Sequence, residues 1–243
     1  MRVSESENDM TTRQVRLLSG GAAHGVVETL APQFRTETGA EITGTFGPVG
    51  AMKDKLLAGE PADLVILTKA LITELAAAGR VLPDTCADLG RVRTGVAVKQ
   101  GDPIPDISNA AALRAALLGA REIYFPDPER ATAGIHFAKV LERLGVRAAL
   151  APRLRPHASG AAAMGAMSRA SGHGLLGCTQ ITEIMITPGV TLVGPLPGEF
   201  ELATVYSVAV CAGAGSVDLA RRLASVLTGS LTASFRASCG FEL

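Results

Sequence analysis

The chain has 243 residues, of which 47% are hydrophobic and 19% are charged, so it can bury a full core in one or two lobes. Lys plus Arg and Asp plus Glu are equal at 23 each, and aromatic residues make up only 4%. This balance argues against nucleic acid as a partner, and no apolar run approaches the roughly 20 residues of a membrane span.

The N-terminus and the cysteines bear on the compartment. The first residues, MRVSESENDMTTR, lack the basic start and the apolar core of a signal peptide. As written, the sequence predicts a cytoplasmic protein, while a periplasmic one stays open if the N-terminus is trimmed or if Met10 is the initiator. Cys86, Cys178, Cys211 and Cys239 have no CxxC or zinc-ligand spacing, which predicts free thiols and no metal site.

Strands and helices alternate along the chain, which is typical of parallel, doubly wound α/β sheets. The hydrophobic patterns predict strands at 15–21, 41–46, 63–68, 91–99, 122–127, 174–180, 190–197 and 203–211. They predict helices at 22–39, 51–60, 69–80, 109–120, 133–144, 160–170, 216–228 and 231–239. Since no low-complexity linker interrupts this series, we expect two α/β lobes joined by continuous strands, with a hinge and a ligand cleft between them.

The first strand runs directly into the first helix through SGGAAHG. Gly20 and Gly21 suggest a loop for a nucleotide, but neither GxGxxG nor GxxxxGKS/T follows the strand. The dinucleotide and P-loop interpretations are therefore rejected. What remains is a helix start whose small residues leave its backbone amides open.

A second junction of this kind lies in DPERATAGIHFAKVLERLG, at 127–145. Thr132, Ala133 and Gly134 place small residues in the first helical turn, where unpaired N–H groups and the positive end of the helix dipole can hold a carboxylate or oxyanion. The alternative is an ordinary junction in which Thr132 only caps the helix. Two such junctions facing one ligand favour the anion site.

Three stretches resemble the molybdate-binding protein family within the type II periplasmic solute-binding fold. They are LAGEPADLVI at 57–66, the stretch at 127–145, and TVYSVAVC at 204–211 before a terminal helix and the ending CGF. The resemblance implies one lobe of residues 14–92 with 205–243 and another of 93–204, the chain crossing near 91–99 and returning around 203–211. It also implies a small anion held at helix N-termini, no cofactor, and a transporter as partner.

The family's oxyanion contacts carry over only in part. Ala133 matches the alanine of the family's AG turn, Thr179 approximately matches its later amide donor, and Tyr206 matches its tyrosine. Its two serines are missing, because Ala22 stands in the first loop and FGPVGA in the second. Since neutral donors hold a tetrahedral oxyanion, we expect weak molybdate binding and favour a small organic di- or tricarboxylate.

A cation is expected to complete the site, since a guanidinium offers two parallel donors to a carboxylate. Arg93 is the candidate, with Arg91, Lys53 and Arg130 as alternatives, although each is more often a solvated surface charge. The predicted ligand-binding residues are Gly20, Gly21, Ala22, Gly47, Thr132, Ala133, Gly134, Thr179, Gln180, Tyr206 and Arg93.

Two functions are compatible with these residues. The first is a receptor that closes on a small anion and presents it to a transporter. The second is a cofactor-independent isomerase of an unsaturated acid, because the resembled family is also known to include aconitate isomerases. Proton abstraction beside a carboxylate and return at another carbon would then use His24 or Glu129 as the base and Tyr206 as the donor.

Overall fold

The computed structural model describes residues 13–243. The polar N-terminal stretch MRVSESENDMTTR, which includes Met10, lies outside the described residues except for Arg13. The strands are β1 (Gln14–Gly20), β2 (Glu41–Gly47), β3 (Leu64–Thr68), β4 (Ala87–Lys99), β5 (Glu122–Pro126), β6 (Leu154–His157), β7 (Leu175–Gln180), β8 (Val190–Pro195) and β9 (Ala203–Val210). The helices are α1 (His24–Thr38), α2 (Val49–Leu57), α3 (Lys69–Ala77), α4 (Ala110–Gly119), α5 (Thr132–Arg143), α6 (Arg147–Leu150), α7 (Gly160–Arg169), α8 (Ile181–Met185), α9 (Val217–Thr228) and α10 (Ala233–Ser238).

The predicted elements are present, and three short ones were not predicted. These are α6, β6 and α8, of four, four and five residues. Strand β6 carries Pro156 and lies at the end of the sheet order, where a missing backbone donor is tolerated. All three are too short for a hydrophobic period to be read from the sequence.

The strands form one mixed sheet in the order β2-β1-β3-β9-β4-β7-β5-β6, with β8 also paired to β4. Strands β1, β2 and β3 are parallel, as are β5, β6 and β7, whereas β9 is antiparallel to β3 and β4 is antiparallel to β7, β8 and β9. The expectation of purely parallel sheets is therefore wrong at the centre, because hydrophobic alternation does not specify strand direction.

Strand β4 carries the chain from one half of the sheet to the other. Its residues 87–93 pair with β9, and residues 94–99 pair with β7 and β8. Val92 belongs to a core cluster with β1, β3, α1 and α9, while Val96 belongs to a second cluster with α4, α5 and β5. The fold is thus the expected two-lobed α/β arrangement, and the lobe boundaries at 92/93 and 204/205 stay a prediction.

Within residues 13–243, no helix combines the length and the apolar character that crossing a bilayer requires.

Asp63, in the LAGEPADLVI stretch, ties three parts of the first lobe together. Its buried carboxylate accepts hydrogen bonds from the Arg16 backbone and guanidinium at 2.8 to 3.0 Å and from the Gly215 amide at 2.7 Å. Burial raises the pKa of Asp63, but the hydrogen bonds from Arg16 and Gly215 outweigh burial and hold that pKa below its ordinary value. The motif is explained by this junction of β1, β3 and the loop after β9.

We expect Asp63→Ala to destabilise the protein by about 1–3 kcal/mol, because it leaves the Arg16 and Gly215 amides without their buried acceptor, while the partly exposed Arg16 guanidinium returns to water. Urea denaturation at neutral pH measures this. The control is Asp84→Ala, which removes an exposed partner of Arg221 and is expected to cost less than about 1 kcal/mol. Since the folded pKa of Asp63 is depressed, its stabilisation is present above its unfolded pKa of about 3.9 and is lost as pH falls through the folded value. Equal losses in both variants would contradict the anchoring role.

Candidate anion-binding site

A pocket lies where the carboxyl ends of β1, β2, β5, β6 and β7 meet, the edge at which open α/β sheets bind ligands. The space between its walls is about 320 Å³, a figure that includes space open to solvent. Its lining consists of Gly21, Ala22, Gly47, Pro48, Val49, Pro126, Ala131, Thr132, Ala133, Ser159, Gly160, Gln180, Glu183 and Tyr206.

Four helices of nine or more residues begin at this pocket. Gly21 opens a 3-10 turn that continues into α1, and α2, α5 and α7 begin at Val49, Thr132 and Gly160. The first three of these starts have no side-chain cap. Their unpaired amides and dipoles favour negative charge in the pocket.

Thr132 is the first residue of α5, and the capping position belongs to Ala131. The alternative in which Thr132 serves only as a helix cap is therefore wrong. Ser159, by contrast, does cap α7, since its hydroxyl accepts a hydrogen bond from the Ala162 amide at 3.2 Å.

Gln180 is the N-cap residue of α8 and lines the pocket with a side chain that is 3% exposed. It lies beside Tyr206, yet neither its Oε1 nor its Nε2 is in hydrogen-bonding geometry with a described residue. A buried amide without partners is costly. Gln180 therefore offers a donor and an acceptor to whatever enters the pocket.

Glu183, in the first turn of α8, is the main site residue that sequence reasoning missed. Its carboxylate is buried, and the Thr179 hydroxyl donates a hydrogen bond to Oε2 at 2.6 Å. Burial raises the pKa of Glu183, and Thr179 and the backbone amides of Ala161 and Gln180 offset this only in part. Its one sequence signal is an acidic residue inside the otherwise uncharged run ITEIMI.

Two glycines make room for this carboxylate. A Cβ atom at Gly21 would collide with Glu183 Oε1, and one at Gly160 would collide with Glu183 Oε2 and the Thr179 hydroxyl. The carboxylate is therefore wedged between the starts of α1 and α7, with Oε1 on the Gly21 side.

Tyr206 lies on β9 and forms another wall of the pocket. Tyr206 is 3% exposed. Burial, and then the nearby Glu183 carboxylate, raise the pKa of its phenol, while the neighbouring Gln180 side chain lowers this pKa by a smaller amount. It is thus held as a neutral hydroxyl at physiological pH.

The structure brings most of the predicted ligand-binding residues together. Seven of them line the pocket: Gly21, Ala22, Gly47, Thr132, Ala133, Gln180 and Tyr206. Gly20, Gly134 and Thr179 lie behind this lining. A Cβ at Gly20 would press on Val49 and Tyr206, one at Gly134 would collide with the carbonyls of Pro126 and Asp127, and Thr179 supports Glu183.

The prediction of Arg93 as a ligand-binding residue is corrected. Arg93 is absent from the lining, and its guanidinium lies 2.5 Å from the Glu242 carboxylate. Arg91 shares that partner, and Lys53 pairs with Glu74. Within residues 13–243, no lysine or arginine lines the pocket.

His24 and Glu129 also lie away from the lining. His24 is bonded to Glu28 at 2.8 Å and stacks on the Phe46 ring. Glu129 is exposed in the turn after β5, where its amide donates to Asp127. The structure supports neither as a catalytic base.

Across the described part of the chain, no three His, Cys, Asp or Glu side chains are grouped to hold a metal ion.

The fold and the pocket define a solute-binding protein of the type II periplasmic-binding class. The chain belongs to the bacterial extracellular solute-binding protein family, whose model matches residues 15–242.

Similar proteins carry two different names. An aconitate isomerase of Pseudomonas sp. is 30% identical over 217 residues, which cover 87% of this chain and 80% of that protein. The molybdate-binding protein ModA of Escherichia coli is 23% identical, over 82% of this chain and 78% of ModA. The periplasmic molybdate-binding protein of Azotobacter vinelandii superposes with a TM-score of 0.79 at 19% identity, covering 94% and 99% of the two chains. That superposition shows the shared fold.

The tight seating of Glu183 predicts that Gly160→Ala destabilises the protein by about 1–3 kcal/mol, since the added methyl group forces the carboxylate and Thr179 apart. Gly165→Ala on the same helix is the control. There a Cβ meets only the flexible end of Arg169, and the change should stabilise the helix by up to about 1 kcal/mol. Urea unfolding compares the two, and a neutral Gly160→Ala would show that the carboxylate is not wedged there.

Proposed function

We propose that the pocket binds a small organic di- or tricarboxylate. The observation that carries this proposal is the meeting of uncapped helix starts with the unpartnered, buried Gln180 in one pocket that no lysine or arginine of residues 13–243 lines. Fixed amide dipoles and hydrogen-bond donors can hold carboxylate groups there without a counter-ion.

The rest of the lining favours an organic anion over molybdate. Ala22, Pro48 and Val49 present apolar groups, and Pro126, Ala131 and Ala133 add to them. An apolar wall with a few placed polar groups suits a carbon skeleton. An inorganic oxyanion needs hydroxyl and amide donors on all sides, whereas the side-chain hydroxyls of this lining are confined to Thr132, Ser159 and Tyr206. The relative that is 30% identical is named for an organic acid, aconitate.

A thermal-shift series with cis-aconitate, trans-aconitate, citrate, sulfate and molybdate tests the ligand class. We expect the organic acids to raise the melting temperature more than the two oxyanions, because binding to the folded state alone adds RT ln(1 + [L]/Kd) to stability. Tight molybdate binding by calorimetry, with no effect of the organic acids, would refute the proposed class.

Ala133→Asp tests the position of the ligand. The new carboxylate would lie at the start of α5, and two like charges ~4 Å apart repel by about 4 kcal/mol at an effective dielectric of ~20. Affinity should therefore fall by orders of magnitude, since each ~1.4 kcal/mol is about tenfold.

Ala111→Asp is the matched control for this variant. Ala111 is the second residue of α4, as Ala133 is of α5, but it is exposed and away from the pocket. It should leave affinity unchanged. A folded Ala133→Asp protein with wild-type affinity would place the ligand elsewhere.

Isomerisation of an unsaturated acid is the second candidate function. The similarity to the Pseudomonas aconitate isomerase favours it, and so do Glu183 and Tyr206, the two ionisable side chains of the lining. Such a reaction removes a proton from the carbon beside one carboxylate, moves the double bond, and returns a proton at the former alkene carbon. Helix starts would stabilise the carbanion-like charge between the two transfers.

Incubation of the purified protein with cis- or trans-aconitate distinguishes the receptor from the isomerase. Appearance of the other isomer, lost in Tyr206→Phe, would establish turnover in this pocket. Saturable binding without any conversion would leave the receptor function. For a receptor, a transporter that accepts the released anion is the proposed partner.

A further inference from the structure

We propose that the pocket takes up its anion together with one proton, which Glu183 carries. The inference rests on the proposed binding of a small carboxylate. It goes further by naming a buried group that must be neutral for the anion to enter, and so couples occupancy of the pocket to pH.

The two oxygens of Glu183 have different surroundings. Oε2 accepts the Thr179 hydroxyl at 2.6 Å and lies against Gly160, whereas Oε1 lies on the Gly21 side. Thr179 also lies behind the lining, so it can orient the carboxyl group without touching the ligand. The amides of Ala161 and Gln180 also reach the carboxylate. We assign the proton to Oε1, because it is the oxygen that does not accept from Thr179.

The charged groups on the elements packed against α8 are engaged elsewhere. On α1, His24 pairs with Glu28, Arg35 with Glu41, and Glu37 with Arg222. On β4, Asp88 pairs with Lys69, Arg91 and Arg93 pair with Glu242, and Lys99 donates to the Ala170 carbonyl.

The remaining neighbours supply no cation either. Arg169 lies at the far end of α7, where its charge adds to burial in lowering the pKa of His157. The Cys178 thiol on β7 is buried in the second core cluster. Strand β8 has no titratable side chain. Tyr206 is the titratable group beside Glu183. In the part of the chain that the structure describes, these neighbours therefore supply no counter-ion to balance an ionised Glu183 next to a bound anion.

Burial already favours the neutral carboxyl, since it raises the pKa of Glu183 before any ligand binds. An anion about 4 Å from an ionised Glu183 would lose about three orders of magnitude in affinity at an effective dielectric of ~20. With Glu183 protonated, this repulsion becomes a hydrogen bond from Oε1. Under the isomerase alternative, the same proton is available for transfer.

Calorimetric titration with trans-aconitate between about pH 7 and about pH 9, where the ligand's carboxylic acids are ionised, tests the linkage. We expect affinity to fall with rising pH, by up to about tenfold per unit, and buffers of different ionisation enthalpy to report proton uptake that grows with pH toward one proton. Glu183→Gln keeps the shape and stays neutral, so its affinity should not change with pH. Glu201→Gln, an exposed control, should keep the wild-type dependence.

Wild-type affinity that is independent of pH over this range would overturn the proposal, and so would the same pH dependence in Glu183→Gln. The wild-type titration stands by itself if the variant does not fold.

Failure of the proposed function gives a different result: neither the wild type nor Glu183→Gln binds cis-aconitate, trans-aconitate or citrate at any pH. The protonation of Glu183 is then tested by the pH dependence of stability in the ligand-free protein. A raised folded pKa contributes stability that is complete below the unfolded value of about 4.3 and is lost as pH rises through the folded value. Wild-type stability should therefore fall with rising pH relative to Glu183→Gln. Parallel curves would show that Glu183 carries no proton.

Discussion

The site depends on strand β4, which belongs to both halves of the sheet. It pairs with β9 through residues 87–93 and with β7 and β8 through residues 94–99. This continuous backbone, together with the return strand β9, holds the ends of β1 and β2 opposite the ends of β5 and β7. Because a strand is a stiff, hydrogen-bonded element, the helix starts that follow those ends meet at one pocket.

The proposed anion site needs no lysine or arginine in its lining. Backbone amides at uncapped helix starts supply positive potential without a long, mobile cation, and they leave the walls free for small apolar residues such as Ala22 and Ala133. The same potential makes it possible to keep a carboxyl group, Glu183, in the lining. Its cost is a buried ionisable group, which the Thr179 hydroxyl and two backbone amides partly offset.

The chain is similar both to an aconitate isomerase and to molybdate-binding proteins. This is consistent with a shared backbone framework whose pocket side chains differ. The superposition on the Azotobacter protein shows the shared backbone framework. Under the proposed function, side chains at a few positions decide which ligand enters and whether it reacts. Here those positions hold Ala22, Pro48, Gln180, Glu183 and Tyr206, beside the hydroxyls of Thr132 and Ser159.

Much of the fold could be predicted from the sequence alone. Alternating hydrophobic periods located the long strands and helices, and small residues at the starts of α1 and α5 pointed to an anion site, because both are local properties of the chain. Tertiary structure decided the rest. The guanidinium of Arg93 pairs with Glu242, and the imidazole of His24 pairs with Glu28. Neither side chain lines the pocket. Glu183 joined the lining because α8 turns it between Gly21 and Gly160, residues that are 162 and 23 positions away in the chain. Strand direction at β4 and β9 was likewise set by the crossing of the chain between lobes, which no local pattern records.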